Sequence, residues 1–164
     1  MERFKMFIED VYKVYNNPKK KFELKKIRKN YILRARLFPG YCNRLLTTKN
    51  KDYAFRIVSE SFIYNPSIIN PVANGDTFAK SLRKIKITDS FSRRFKKILD
   101  SNEVKSIYED NIFPNLLKYI ASQNSGIKIN YYQLLCDLYF WRNDIKEKWV
   151  KDFYGCNISI EEKD

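Results

Sequence analysis

Apolar side chains recur along this chain at steps of three and four. That spacing narrows the available folds most, because a helix of 3.6 residues per turn gathers such positions onto one stripe. Phe4, Phe7, Ile8, Val11, Tyr12 and Tyr15 trace the first stripe and predict an amphipathic helix ending near Asn16 and Asn17. Pro18 suits the first turn of a second helix with Phe22 and Ile27 on its apolar side, and Pro39 with Gly40 marks the next break. Helix resumes over Tyr41–Leu46. After the polar stretch Thr47–Lys51, a helix from about Tyr53 to Tyr64 uses Ala54, Ile57, Val58 and Phe62 as its inner face, and Pro66 and Pro71 close it with a loop.

In the second half, Thr77 caps a short helix with Phe78, Leu82 and Ile85 inward and Lys80, Arg83 and Lys84 elsewhere. Asp89 or Ser90 can cap the next, which buries Phe91, Phe95, Ile98 and Leu99 and turns Arg93, Arg94, Lys96 and Lys97 outward. Pro114 lacks the backbone donor that an uninterrupted helix needs, so Val104–Ala121 reads as two helices, with Pro114 opening the second and Gly126 ending it. Asn130 with Gln133 reads as a capping box for a helix with the stripe Leu134, Leu135, Leu138 and Trp141. Asp144 with Glu147 repeats the signature for a final helix burying Ile145, Trp149 and Phe153. Few runs alternate with period two, and only four glycines serve turns. The expectation is an all-α, compact helical bundle: one domain over residues 1–155, divisible into subbundles 1–65 and 76–155, with 156–164 a flexible tail.

A chain of 164 residues, 44% hydrophobic and 16% aromatic, can bury one core without disulfides or metal. Its charge is less ordinary: 32 Lys and Arg against 19 Asp and Glu give a formal net charge of +13. Between residues 19 and 36, Lys19, Lys20, Lys21, Lys25, Lys26, Arg28, Lys29, Arg34 and Arg36 face the single acid Glu23. From 80 to 97, Lys80, Arg83, Lys84, Lys86, Arg93, Arg94, Lys96 and Lys97 have only Asp89 among them. Residues 100–115 and the segment after Tyr154 are acidic or mixed, so the cations form a face, and a polyanionic partner is its simplest explanation. Cys42, Cys136 and Cys156 are odd in number and lack zinc-like spacing, which points to reduced thiols in the cytoplasm. Met1–Tyr15 resembles neither signal peptide nor anchor, and Tyr131–Trp141 holds Gln133 and Asp137 and is too short to span a bilayer.

The chain has no histidine, which removes the commonest general base, the usual zinc ligand and every imidazole-activated triad. Carboxylates alone can serve a metal-dependent nuclease, but Glu109 with Asp110 and Glu161 with Glu162, the close acidic pairs, read as solvated helix ends or tail. Asp137 is expected off the apolar stripe, paired with a cation such as Lys118 or Arg142. Gly75 follows no strand and makes no phosphate loop. No cofactor, no metal site and no catalytic residue is expected. Most aromatics sit at helical spacing and read as core; Tyr31 and Tyr41, flanked by Arg28, Lys29, Arg34 and Arg44, are the candidates for stacking on unpaired bases.

Three stretches then carry a family resemblance: Gly75–Leu82 (GDTFAKSL), Ser92–Leu99 (SRRFKKIL), and Ile129–Trp141 (INYYQLLCDLYFW) running on to Trp149–Gly155 (WVKDFYG). They resemble the CasB family, the small subunit of the type I-E CRISPR Cascade surveillance complex. The last stretch is the most specific, with a cap, a leucine pair, an aspartate, a tryptophan and a Trp-x-x-Asp-Phe-Tyr ending. Asn130 stands for an acidic cap, Ala79 for a glycine, Lys80 for an arginine and Ser92 for an acid before the paired arginines. The Asn102–Asn115 segment is longer than usual, and Leu37–Leu46 matches only loosely.

The resemblance implies a non-enzymatic, all-helical subunit of antiviral defence, present in two copies beside the guide RNA and its DNA target, among the other Cascade subunits. It implies a basic surface that holds the displaced non-target strand and braces the target strand, stabilising the R-loop. Lys80, Arg93 and Arg94 in the two basic motifs are its foremost candidates, followed by Lys118, then Arg142 and Lys146. Arg28, Arg34, Arg36 and Arg44 are chosen on charge, and Arg83, Lys84, Lys96 and Lys97 belong to the same cationic stretch. Phosphate contacts are expected rather than base reading. The alternative is a structural adaptor whose charge meets acidic proteins or an anionic membrane surface.

Overall fold

The computed structural model describes residues 2–16, 49–70, 76–123 and 126–155. The helices expected between Pro18 and Leu46 and the tail from Cys156 lie outside the described residues. The described chain is predominantly all-α. Its helices are α1 (Glu2–Asn16), α2 (Lys49–Tyr64), α3 (Phe78–Ser81), α4 (Asp89–Asp100), α5 (Val104–Glu109), α6 (Ile112–Ser122), α7 (Tyr131–Tyr139) and α8 (Asn143–Tyr154).

α2 forms the centre, packed against α1, α5, α6 and α7; α4 lies on α6, and α3 on α8 and α7. The buried hydrophobic side chains of these elements make one core. Phe4 of α1 enters it edge-on against Tyr139 at 4.7 Å, and Phe7 meets Phe55 of α2 at 4.6 Å. At the other end Phe78 lies 4.8 Å from Trp149, which meets Trp141 at 5.0 Å. Tyr12, expected on the first stripe, is 43% exposed. It falls about 80° round the helix from Phe4, at the margin of the buried face. α2 begins at Lys49, inside the polar stretch, because apolar spacing locates a buried face and not a helix end.

Caps set the other boundaries. Thr77 accepts from the Lys80 N–H, as expected, and Leu82–Lys84 continues α3 as a tighter 3₁₀ turn. α4 is capped by Thr88, whose extended backbone lets Oγ1 accept from the Phe91 N–H at 3.1 Å; neither Asp89 nor Ser90 is the cap. Asp89 becomes the first helical residue, where a negative charge favours the helix dipole. Asn111 takes the left-handed conformation between α5 and α6, with φ 58°. Pro114 then sits in the first turn of α6, where a missing N–H costs nothing. α6 ends at Ser122, ahead of Gly126.

Half of the expected capping box at Asn130 forms: Oδ1 accepts from the Gln133 N–H at 3.0 Å. The return bond is replaced, since the Asn130 N–H donates to the Asp76 carbonyl and the Gln133 amide donates to Asp137. That backbone bond belongs to a short parallel ladder absent from the helical reading, in which Ile69 and Asn70 face Ile129 and Asn130 and Asp76 bridges to Ile129. It ties the turn after α2 to the start of α7. α8 is flanked by Arg142 as its N-cap and begins at Asn143; Asp144 lies in the first turn instead of capping it.

Candidate nucleic-acid interface

α4 carries the densest described run of cations, and its docking decides where they point. Phe91, Phe95 and Ile98 are buried and Leu99 half-buried. Phe91 meets Tyr119 of α6 at 5.7 Å, and the Tyr119 hydroxyl donates to the Lys86 carbonyl at 2.7 Å, fixing the loop that enters α4. At about 100° per residue the opposite arc holds Lys96, Arg93, Lys97 and Arg94, with Asp89 and Asp100 falling between Lys96 and Arg93 in projection. Arg93, Lys96 and Lys97 are exposed and Arg94 half-buried, as the spacing requires. Asp89 and Asp100 stand one turn away at the two helix ends. Even so, among the described residues no carboxylate lies within ion-pair distance of any of the four cations. The same holds for Lys80 on α3 and Lys118 on α6, both exposed.

The remaining expected cations among the described residues are engaged within the fold. Arg83 Nε donates to the Phe153 carbonyl at 3.2 Å, satisfying an acceptor in the last turn of α8. Lys84 is ion-paired with Asp76. Arg142 grips Asp144 through two bonds, Nε to Oδ1 at 3.1 Å and Nη2 to Oδ2 at 3.2 Å. Those hydrogen bonds hold the Asp144 carboxyl below the usual carboxylate range. Lys146 donates to Asn102 Oδ1 at 3.3 Å, with its ammonium 5.7 Å from the Trp141 ring. The structure thus separates unpaired cations, on α3, α4 and α6, from cations that brace the first turn of α8 and the α3 turn. Arg28, Arg34, Arg36 and Arg44, with Tyr31 and Tyr41, lie outside the described residues.

Asp137 departs from expectation. It is 2% exposed, and its partners are neither Lys118 nor Arg142. Gln133 Nε2 donates to Oδ1 and Trp149 Nε1 to Oδ2, each at 2.8 Å, while Lys148 Nζ lies 3.5 Å from Oδ1. α7 is buried nearly all round, so a carboxylate on it has no solvated face and must be satisfied internally. It joins α7 to α8 and does not face the cationic surface.

Tyr154, the last residue of the Trp-x-x-Asp-Phe-Tyr ending, is 62% accessible and falls outside the Ile145, Trp149, Phe153 spacing. Glu109, one of the suspected acidic pair, accepts from the Tyr53 hydroxyl at 2.8 Å. Among the described residues there is no cluster of three His, Cys, Asp or Glu placed to hold a metal, and no helix is long and apolar enough to cross a membrane.

Fold and surface together define a small basic protein, predominantly all-α, with an unneutralised cationic helix on its outside. The family model for CRISPR-associated protein Cse2 matches residues 30–154, and the chain belongs to that family. Cse2 is CasB, the structural small subunit of type I-E Cascade, so the stretches that carried the resemblance fall within the match save for Gly155. No curated protein and no solved structure matches the chain.

Proposed function

We propose that this chain is a non-catalytic subunit of a type I-E Cascade complex. In this reading it stabilises the R-loop by holding the displaced non-target DNA strand and bracing the target strand. The observation that carries the reading is the outer face of α4, where Arg93, Arg94, Lys96 and Lys97 lack ion pairs among the described residues. An unpaired surface cation surrenders no internal bond when it meets a phosphate, and release of condensed counterions then favours association. Arg93 and Arg94 can grip phosphate oxygens through two parallel N–H bonds, whereas Lys96 and Lys97 act as point charges. None of this reads sequence, which suits a protein beside a duplex whose sequence is read by base pairing. Because R-loop formation is nearly balanced, a few backbone contacts suffice to tip it.

The partners in this reading are the other Cascade subunits, the guide RNA, the DNA target and a second copy of the chain, all in the cytoplasm. We take residues 1–155 as one folding unit, a reading supported by the packing of α2 against α5, α6 and α7 across the proline-bearing loop. The test is to assemble the chain with guide RNA and the other Cascade subunits, with and without Arg93→Glu and Arg94→Glu. Shortened R-loop lifetime with assembly intact supports the reading; an unchanged lifetime removes these arginines from it.

A further inference from the structure

Beside the cations of α4 runs an aromatic file that the core does not close. Phe91 and Phe95 are near-parallel on α4, and Phe95 stacks on Phe153 of α8 with centroids 5.1 Å apart and planes 25° from parallel. Phe153 in turn meets Tyr154 at 4.8 Å, and Tyr154 is 62% exposed. Burial falls along the file: Phe91 and Phe95 are buried, Phe153 half-buried, Tyr154 open. Between the two helices lies a groove of about 280 Å³ lined by Phe95, Leu99, Phe153 and Tyr154, with Ser92, Lys96 and Asp100 among its polar members.

Lys96 belongs to both features. It lines the groove, and round the helix it is the first member of the cationic arc that continues through Arg93 and Lys97. An occupant must therefore present a flat apolar face to Phe153 and Tyr154 and a negative charge one side-chain length away. A base joined to its own phosphate has both. An apolar peptide lacks the charge, and an acidic peptide without an aromatic side chain lacks the flat face. We propose that this groove takes an unstacked nucleobase of the single strand whose phosphates run along Arg93, Lys96 and Lys97. The inference rests on the nucleic-acid reading above and adds base stacking to it. Every base has a π-face, so the site tolerates sequence, and Ser92 and Asp100 offer hydrogen-bond partners at its edge.

The test uses the full chain and two fluorescent single strands of equal length and charge, one of mixed sequence and one with abasic sugars throughout. Stacking of one base gives the mixed strand an advantage of about ten-fold. Tyr154→Ala abolishes that advantage while leaving the salt slope unchanged, and Tyr154→Phe retains it. Because Tyr154 is exposed, an unaltered thermal transition confirms that the alanine variant folds. Equal binding of both strands, with a normal salt slope, overturns the base site and leaves the phosphate reading standing. Binding of neither strand sinks both. A concentration-dependent dimer that Tyr154→Ala dissolves makes the groove an interface between copies and also overturns the proposal.

Discussion

The Trp149 indole N–H of α8 donates to Asp137 Oδ2 of α7 across 2.8 Å, inside the core. Gln133 and Lys148 complete the surroundings of that carboxylate, so one buried acid orients three side chains from two helices. Trp149 also packs against Phe78 and Trp141, and through them fixes α3 and the segment leading into α8. The bond therefore ties α8 to α7 at the residue that also anchors α3.

Removing the carboxylate leaves the buried indole N–H and the half-buried Gln133 amide without that acceptor. Asp137→Ala is expected to cost about 3 kcal/mol, near the lower end for breaking a buried charged group because Lys148 is partly solvated. Trp149→Phe deletes only the donor and part of the ring, and is expected to cost about 2 kcal/mol. Urea titration followed by circular dichroism measures both. Equal, sub-kilocalorie effects contradict the bonding described.

The division between engaged and unpaired cations has a quantitative consequence. For single-stranded DNA each phosphate contact contributes about 0.7 to the slope of log affinity against log salt. Arg93→Ala and Lys97→Ala are each expected to lower the slope by about that amount. Arg142→Ala, whose guanidinium is held by Asp144, is expected to leave it nearly unchanged. Fluorescence anisotropy across a salt series distinguishes the two groups; a slope lost at Arg142 as readily as at Arg93 contradicts the division.

The face of α4 was legible in the sequence because Phe91, Phe95 and Ile98 are spaced for a single stripe and four cations fill the gaps between them. No long-range information was needed. Arg142 and Arg83 were not separable from Arg93 on charge: one turns on the first turn of α8 starting at Asn143, and the other on a carbonyl seventy positions away. Asp137 misled for a related reason, since a helix covered on all sides leaves no polar face for periodicity to find. Three N-termini illustrate the local limit: Thr77 and Asn130 cap as read, whereas Thr88 displaced Asp89 and Ser90 because the choice depends on backbone conformation.

That cap offers its own test. Thr88 Oγ1 satisfies the Phe91 N–H, and Phe91 is the first buried anchor of the cationic helix. Thr88→Ala is expected to cost about 1 kcal/mol, while Thr88→Ser or Thr88→Asp largely preserves stability. Amide exchange should locate the loss in the first turn of α4. Protection there that does not change in the alanine variant contradicts the capping role.

Cys136 is buried on α7, and burial, reinforced by the neighbouring Asp137 charge, pushes its thiol up to about 11. Below about pH 9 the thiol keeps its proton in both folded and unfolded chains, so it contributes no pH dependence. Between about 9 and 11 the unfolded chain releases that proton while the folded chain cannot, and rising pH favours unfolding. The stability of the parent chain relative to Cys136→Ala is therefore expected to hold constant up to about pH 9 and to decline through about pH 11. A difference that stays constant through the alkaline range contradicts the proton linkage. The same burial keeps the thiolate scarce at pH 8, so Cys136 should alkylate far more slowly in the folded chain than in urea, measured on its own peptide by mass spectrometry. Equal rates in the two states would place the sulfur at the surface and undo the packing of α7 described above.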